Sequence, residues 1–296
     1  LANIFFQIER LPPPADLRVE VVWNAAVLAS MPAVASGKIS FSPAELPEGM
    51  TVIRCVLRRN NNVEIGASDL ALIKRRPLPG CEWKIDCQSR CLLNNGAPFF
   101  PFGMIMTGVS PDETPVFAQL AENNFNSFLV WGETTPDGLL KYQESAAAHN
   151  LFVVSHPDCC AAPIEWDVYA KYSGELLDAV KRATAKPNFI DMKSVLKLPV
   201  PIAERNAIYG EFYDKNIERV MSGVENIKRA QNLIGYFILD EPMPARYFDQ
   251  YKFGQDYYAR LVRADGYHPV LVNYSSKIPE GDEYVNWCDI LLTDPY

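Results

Sequence analysis

Two carboxylic acids stand side by side at Asp240-Glu241, directly after the apolar run Gly235-Tyr236-Phe237-Ile238-Leu239, and Pro242 follows them. A short apolar run of this kind reads as a buried strand, which delivers the acids at its end. Paired carboxyls in such a place suit the hydrolysis of a glycosidic bond. One group, its pKa raised by apolar walls, gives a proton to the leaving oxygen, and a second group stabilises the oxocarbenium-like centre. A plainer role also fits, because acids and prolines suit a first helical turn, and Pro244 lies close behind Pro242.

Other polar and aromatic residues fall at the ends of strand-like runs: Trp131, His156 with Asp158, Asn273 with Tyr274, and Asp294 with Tyr296. Trp131 offers a flat apolar face for a sugar ring, or fills core. His156 and Asp158 can hydrogen-bond hydroxyls, as can Asn273 and Tyr274, although Tyr274-Ser275-Ser276 also reads as a turn and His156 as a structural histidine. Asp294 and Tyr296 carry the same two readings. His149, His156 and His268 are not spaced as a ligand set, so neither a metal nor another cofactor is expected. The cysteines at 55, 81, 87, 91, 159, 160 and 288 show no C-x-x-C pair and read as buried free thiols, with Cys159-Cys160 near enough to a strand end to touch a pocket.

These candidates need elements to hold them. After Phe99, strand-like and helix-like runs alternate, which implies parallel pairing. The strands expected are Phe102–Met106, Ser127–Trp131, Leu151–Ser155, Ile234–Leu239, Pro269–Asn273 and Asp289–Thr293. Among the helices between them, Ile217, Val220, Met221, Val224 and Ile227 make a one-sided stripe, with Lys215, Glu218, Arg219 and Lys228 elsewhere. No glycine-rich phosphate loop follows the first strand, so a (β/α) barrel of the TIM type is favoured over a nucleotide-binding sheet, with about six of its eight units present. Such barrels do their work at the C-terminal strand ends. The stretch from Pro157 to about Asn206 exceeds an ordinary connection and is expected to shape a cleft. The end at Asp294-Pro295-Tyr296 suggests a longer parent protein, an unclosed sheet and low activity in isolation.

Before Phe99 the pattern is period-two alternation, as in 17–21, 38–41 and 51–57, with Asn60-Asn61-Asn62 as a hairpin turn. The resulting organisation is multidomain: an immunoglobulin-like antiparallel β-sandwich over 1–80, a linker and β ribbon over 81–98 turning at Asn94-Asn95-Gly96, and the barrel over 99–296.

With 48% hydrophobic and 22% charged residues the chain has the composition of a folded protein. A net charge of −8, without a dense basic run, speaks against a nucleic-acid partner, and Arg58-Arg59 and Lys74-Arg75-Arg76 read as solvated strand ends. No window is long and apolar enough for a membrane-spanning helix, so no membrane partner is expected. The oligomeric state is left open.

The stretch Leu92-Leu93-Asn94-Asn95-Gly96-Ala97-Pro98-Phe99-Phe100-Pro101-Phe102-Gly103 resembles the lead-in to the catalytic barrel of family 2 and related clan A glycoside hydrolases, and Ile234 to Pro242 resembles their fourth strand. The resemblance implies a retaining glycosidase acting on a polysaccharide or glycoconjugate outside the cytoplasm, secreted or periplasmic. In it Glu241 is the general acid/base, and the nucleophile comes from a seventh strand beyond this sequence. Those barrels carry Asn-Glu where this chain has Asp240-Glu241. An Asp-Glu pair is similar to that of substrate-assisted hexosaminidases of families 20 and 123, in which the aspartate steadies the substrate's acetamido group. A carbohydrate-binding protein on a degenerate barrel is the alternative outside enzymes.

Overall fold

Alternation of apolar and polar side chains builds the first of two compact units, residues 1–77; the second comprises residues 78–296. The computed structural model describes residues 2–8, 16–86, 89–131, 135–157, 202–240, 250–274 and 287–293. In the first unit the strands are β1 (Ala2–Gln7), β2 (Leu17–Trp23), β3 (Ala26–Pro32), β4 (Ser36–Phe41), β5 (Gly49–Arg59) and β6 (Glu64–Lys74). They form two antiparallel sheets, β1-β4 and β3-β2-β5-β6. Val19, Val21 and Ile53 of the larger sheet pack with Ile39 and Phe41 of the smaller one. The expected turn at 60–62 joins β5 to β6, with Asn62 at φ 67° and the Arg59 amide donating to the Val63 carbonyl at 2.9 Å.

Arg59 is a half-exposed strand end, but Arg58 is not the solvated residue its sequence context suggests. With Arg18 it clamps Glu20, whose side chain is only 7% exposed, at 3.0 Å. Burial pushes the Glu20 carboxyl up, and the hydrogen bonds from the two guanidinium groups outweigh this and hold its pKa below the ordinary value.

The second unit opens with a ribbon of β7 (Trp83–Asp86), β8 (Cys91–Asn94) and β9 (Ala97–Phe99). Its turn at Asn95 and Gly96 has φ 49° and 85°, the two positive values that make a tight hairpin. There follow β10 (Gly103–Thr107), α1 (Thr114–Glu122), β11 (Ser127–Trp131), α2 (Pro136–Ala147), β12 (Phe152–Ser155), α3 (Ile202–Ile227), β13 (Leu233–Asp240), α4 (Gln250–Ala264), β14 (Val270–Tyr274) and β15 (Ile290–Thr293). The six strands β10 to β15 pair in chain order, all parallel. Each of the six expected strands lies within a residue of its observed bounds. Of the long segment after Pro157, residues 158–201 lie outside the described residues, and its last few residues already belong to α3. Among the described residues no helix is long and apolar enough to cross a membrane.

The two faces of this sheet have different partners. Phe128, Val130 and Val153 meet Phe117 of α1 and Tyr142 of α2, while Tyr236, Ile238, Val270 and Val272 meet the α3 stripe Ile217, Val220, Val224 and Ile227. Helix α2 is started by Thr135, whose Oγ1 accepts from the Gly138 amide at 3.1 Å, and by Pro136 in its first turn. The other face carries Leu129, Val154, Ile234, Phe237 and Leu271, and among the described residues no helix packs in that cluster. At the N-terminal end of this face the ribbon packs against the sheet: Trp83 is edge-on to Phe99 at 5.0 Å and to Phe152 at 5.5 Å, and its amide donates to the Tyr267 carbonyl.

Candidate active site

The face that carries Leu129, Val154, Ile234, Phe237 and Leu271 ends, at the C-terminal strand ends, in a polar and aromatic group. Leu271 and Asn273 alternate onto this face from β14. Asn273 Nδ2 donates to Asp240 Oδ1 at 2.8 Å, so the exposed Asp240 side chain lies beside it at the end of β13. Strict alternation would put Asp240 on the same side as Ile238, among the helices. The register of β13 against β14 shifts between Phe237 and Leu239, and this irregularity brings Asp240 opposite Asn273.

Beside the pair lies an aromatic floor. Trp131 ends β11 with its ring 5.0 Å from that of His156 and 5.6 Å from that of Phe237, and His156 and Phe237 are 5.2 Å apart. His156 is 1% exposed, so it is a floor residue beneath the half-buried Trp131. Of the residues singled out from sequence, the structure brings Trp131, His156, Asp240 and Asn273 to one face and one end of the sheet. Tyr274 goes elsewhere: it follows Asn273 and points to the opposite face, 2% exposed in the cluster with Tyr257 and Trp287. The cleft position expected for Tyr274 therefore does not hold. Asp158, Glu241, Asp294 and Tyr296 lie outside the described residues. Phe237, which sequence reasoning passed over as ordinary core, is part of the floor; only the irregularity after it, invisible in the sequence, connects it to Asp240.

No family model and no curated protein matches the chain. Solved structures do show likenesses. They include a glycosyl hydrolase family 2 member from Bacteroides cellulosilyticus (TM-score 0.47, 10% identity, 94% of this chain and 34% of that one). Others are a family 2 β-galacturonidase from Eisenbergiella tayi bound to galacturonate (0.44, 13%, 94% and 44%) and a β-glucuronidase from Ruminococcus gnavus (0.42, 11%, 94% and 43%). The chain thus spans between a third and a half of the length of these proteins. Likenesses this loose decide nothing about chemistry, which rests on the site.

Three of the thiols, those of Cys55, Cys81 and Cys288, are made poor nucleophiles by burial. Burial first, then the negative charge of Asp289, pushes Cys288 up to about 11, and burial with Asp265 raises Cys81. Away from the cleft, Asp265 is fully buried and accepts from the Tyr236 hydroxyl, from His268 Nδ1 (2.7 Å) and from the Tyr267 amide (3.0 Å). Burial pushes the Asp265 carboxyl up, and these hydrogen bonds, that of His268 first, hold its pKa below the ordinary value. An ionised Asp265 only accepts, so His268 carries its proton on Nδ1.

Proposed function

We propose that this chain carries the acid/base centre of a retaining glycoside hydrolase acting on a polysaccharide or glycoconjugate. In this reading the six parallel strands are successive members of an eight-stranded barrel, and the antiparallel unit is an accessory domain. The observation that carries it is Asp240, held by Asn273 at the C-terminal end of a buried strand, on the sheet face that no helix covers among the described residues and beside an aromatic floor. Glu241 is the next residue. As general acid it gives its proton to the glycosidic oxygen while a carboxylate nucleophile, in this reading supplied by a seventh strand outside this sequence, displaces that oxygen from the anomeric carbon; as base it then takes a proton from the water that displaces the nucleophile. Asn273 keeps the neighbouring carboxylate in one orientation, and Trp131 supplies an apolar face for a sugar ring.

A second reading is favoured by one feature, a carboxylate rather than an amide at position 240 with an amide donor fixing it. Such a group can steady the cation formed when a substrate's own acetamido oxygen attacks, as in substrate-assisted hexosaminidases. Hydrolysis of aryl glycosides with and without a 2-acetamido group, by the full-length protein, which in this reading supplies the seventh strand, and by its Glu241→Gln and Asp240→Asn variants, tests both. Turnover of plain glycosides with retained anomeric configuration, lost in Glu241→Gln, is the expected result. Turnover confined to acetamido sugars and lost in both variants would replace it with the second reading, and no turnover of any glycoside would leave a binding protein.

A further inference from the structure

At the other end of the parallel sheet, where its strands begin, the second unit has a cavity of about 610 Å³. It lies between the last turns of α2, the loop into β12, the loop from α3 into β13 and the ribbon turn. The volume is within the usual range of small-ligand sites, about 300–1,000 Å³. The lining is unusual in kind: six carboxamides, from Asn94, Asn95, Gln143, Asn150, Gln231 and Asn232, surround an apolar base that includes Leu140, Leu151 and Phe152. Glu144 is the one charged residue of that lining.

We propose that this cavity is a second carbohydrate site, which binds a short neutral oligosaccharide without cleaving it. A carboxamide both donates and accepts hydrogen bonds, and so does each hydroxyl of a sugar; a ring of amides matches a polyol at several points. The absence of cations from the lining disfavours phosphates and uronates, and a lone carboxylate lacks the partner that glycoside cleavage requires. Part of the ring is already set in place. Asn232 Nδ2 donates to the main-chain carbonyls of Gln143 and Leu151 at 2.9 and 3.1 Å, and Asn95 Nδ2 donates to Asn94 Oδ1 at 2.8 Å. Gln143 is 2% exposed; its Nε2 donates to Ser155 Oγ at 2.8 Å, and its Oε1 is a buried acceptor with no partner among the described residues. Turn geometry accounts for Asn95 and Asn150, both at positive φ. It does not account for Gln231, whose exposed carboxamide lies over Gly80.

The proposal does not depend on chemistry at Asp240, and the two are separable by experiment. Saturation-transfer NMR and calorimetry on the intact chain, with maltotriose, cellotriose and a neutral hexapeptide as probes, read the binding. Ala147→Trp, at an exposed lining position on α2, fills the cavity; Gln231→Ala removes one amide and carries the test if the bulkier variant does not fold. Binding of a trisaccharide that weakens about tenfold or more in these variants, yet persists in Trp131→Ala, is expected. Unchanged binding in both variants, loss in Trp131→Ala alone, or capture of the peptide and neither sugar overturns it. Glycoside hydrolysis, where present, is unaffected by either cavity variant, so loss of one property leaves the other standing.

Discussion

Asn273 and Tyr274 are adjacent in sequence and opposite in fate. One donates to Asp240 above the aromatic floor, and the other is buried against the helices. Substitutions at the two sites are therefore expected to separate function from stability. Asn273→Ala frees the Asp240 carboxylate to turn, and kcat for glycoside hydrolysis falls about tenfold to a hundredfold with little change in melting temperature. Tyr274→Ala removes a buried aromatic ring at a cost of about 3–5 kcal/mol, read by denaturant unfolding. An Asn273→Ala enzyme of full activity, or one as unstable as Tyr274→Ala, would remove Asn273 from its positioning role. Sequence reasoning grouped the two residues because both are polar groups at a strand end. Alternation alone could have parted them, but only with the strand's parity known. For Asp240 alternation misleads, since the shift after Phe237 reverses the face and leaves no trace in residue types.

The helices and the sheet depend on a few close approaches, which set the predictions at this scale. On α3 the residues Ile217, Val220, Val224 and Ile227 are all buried, as their spacing implies, and Ile227→Ala is expected to cost about 2–5 kcal/mol. Gly254 of α4 has a reason that spacing does not reveal: a Cβ there would stand 1.8 Å from the indole of the fully buried Trp287. Gly254→Ala therefore gains helix propensity and still destabilises, by about 1–3 kcal/mol or more, because the ring must move. A variant as stable as the parent would show that Trp287 packs elsewhere. The joint between α4 and β14 depends on the ionised Asp265. Its folded-state pKa lies below the unfolded value near 4, so the stability it contributes is complete above about pH 4 and is lost as acid takes the pH down through the folded value. Asp265→Asn should cost on the order of 2 kcal/mol at neutral pH, with the gap to the parent closing below about pH 4. A gap that widened in acid would contradict the assignment. Strand and helix positions were legible because period-two and one-sided patterns persist along them. The network of Asp265, Tyr236 and His268 was not, because Tyr236 lies 29 residues before Asp265 in the chain and an Asp and a His three residues apart carry no signature of a shared buried partner.

At the scale of the whole molecule, six parallel strands in chain order make a sheet whose outer strands, β10 and β15, have a pairing partner on one side only among the described residues. The sequence foretold such edges once it yielded six strand-helix repeats rather than eight. It did not foretell how apolar one of them is: on β10, Met104 is 49% and Ile105 59% exposed, and Phe100 and Phe102 just before it are exposed as well. An edge of this kind presents unpaired amides and carbonyls beside apolar side chains, and both favour association with another chain. The protein of residues 1–296 is therefore expected to self-associate as its concentration rises. A lysine at the edge opposes this, because pairing would bury its charge, so Ile105→Lys should shift the sedimenting species towards monomer while leaving the far-ultraviolet dichroism unchanged. A parent chain that stays monomeric across the concentration range, or a variant that associates as strongly as the parent, would mean that β10 is covered within the molecule, and the apolar edge would then have to be assigned to its interior.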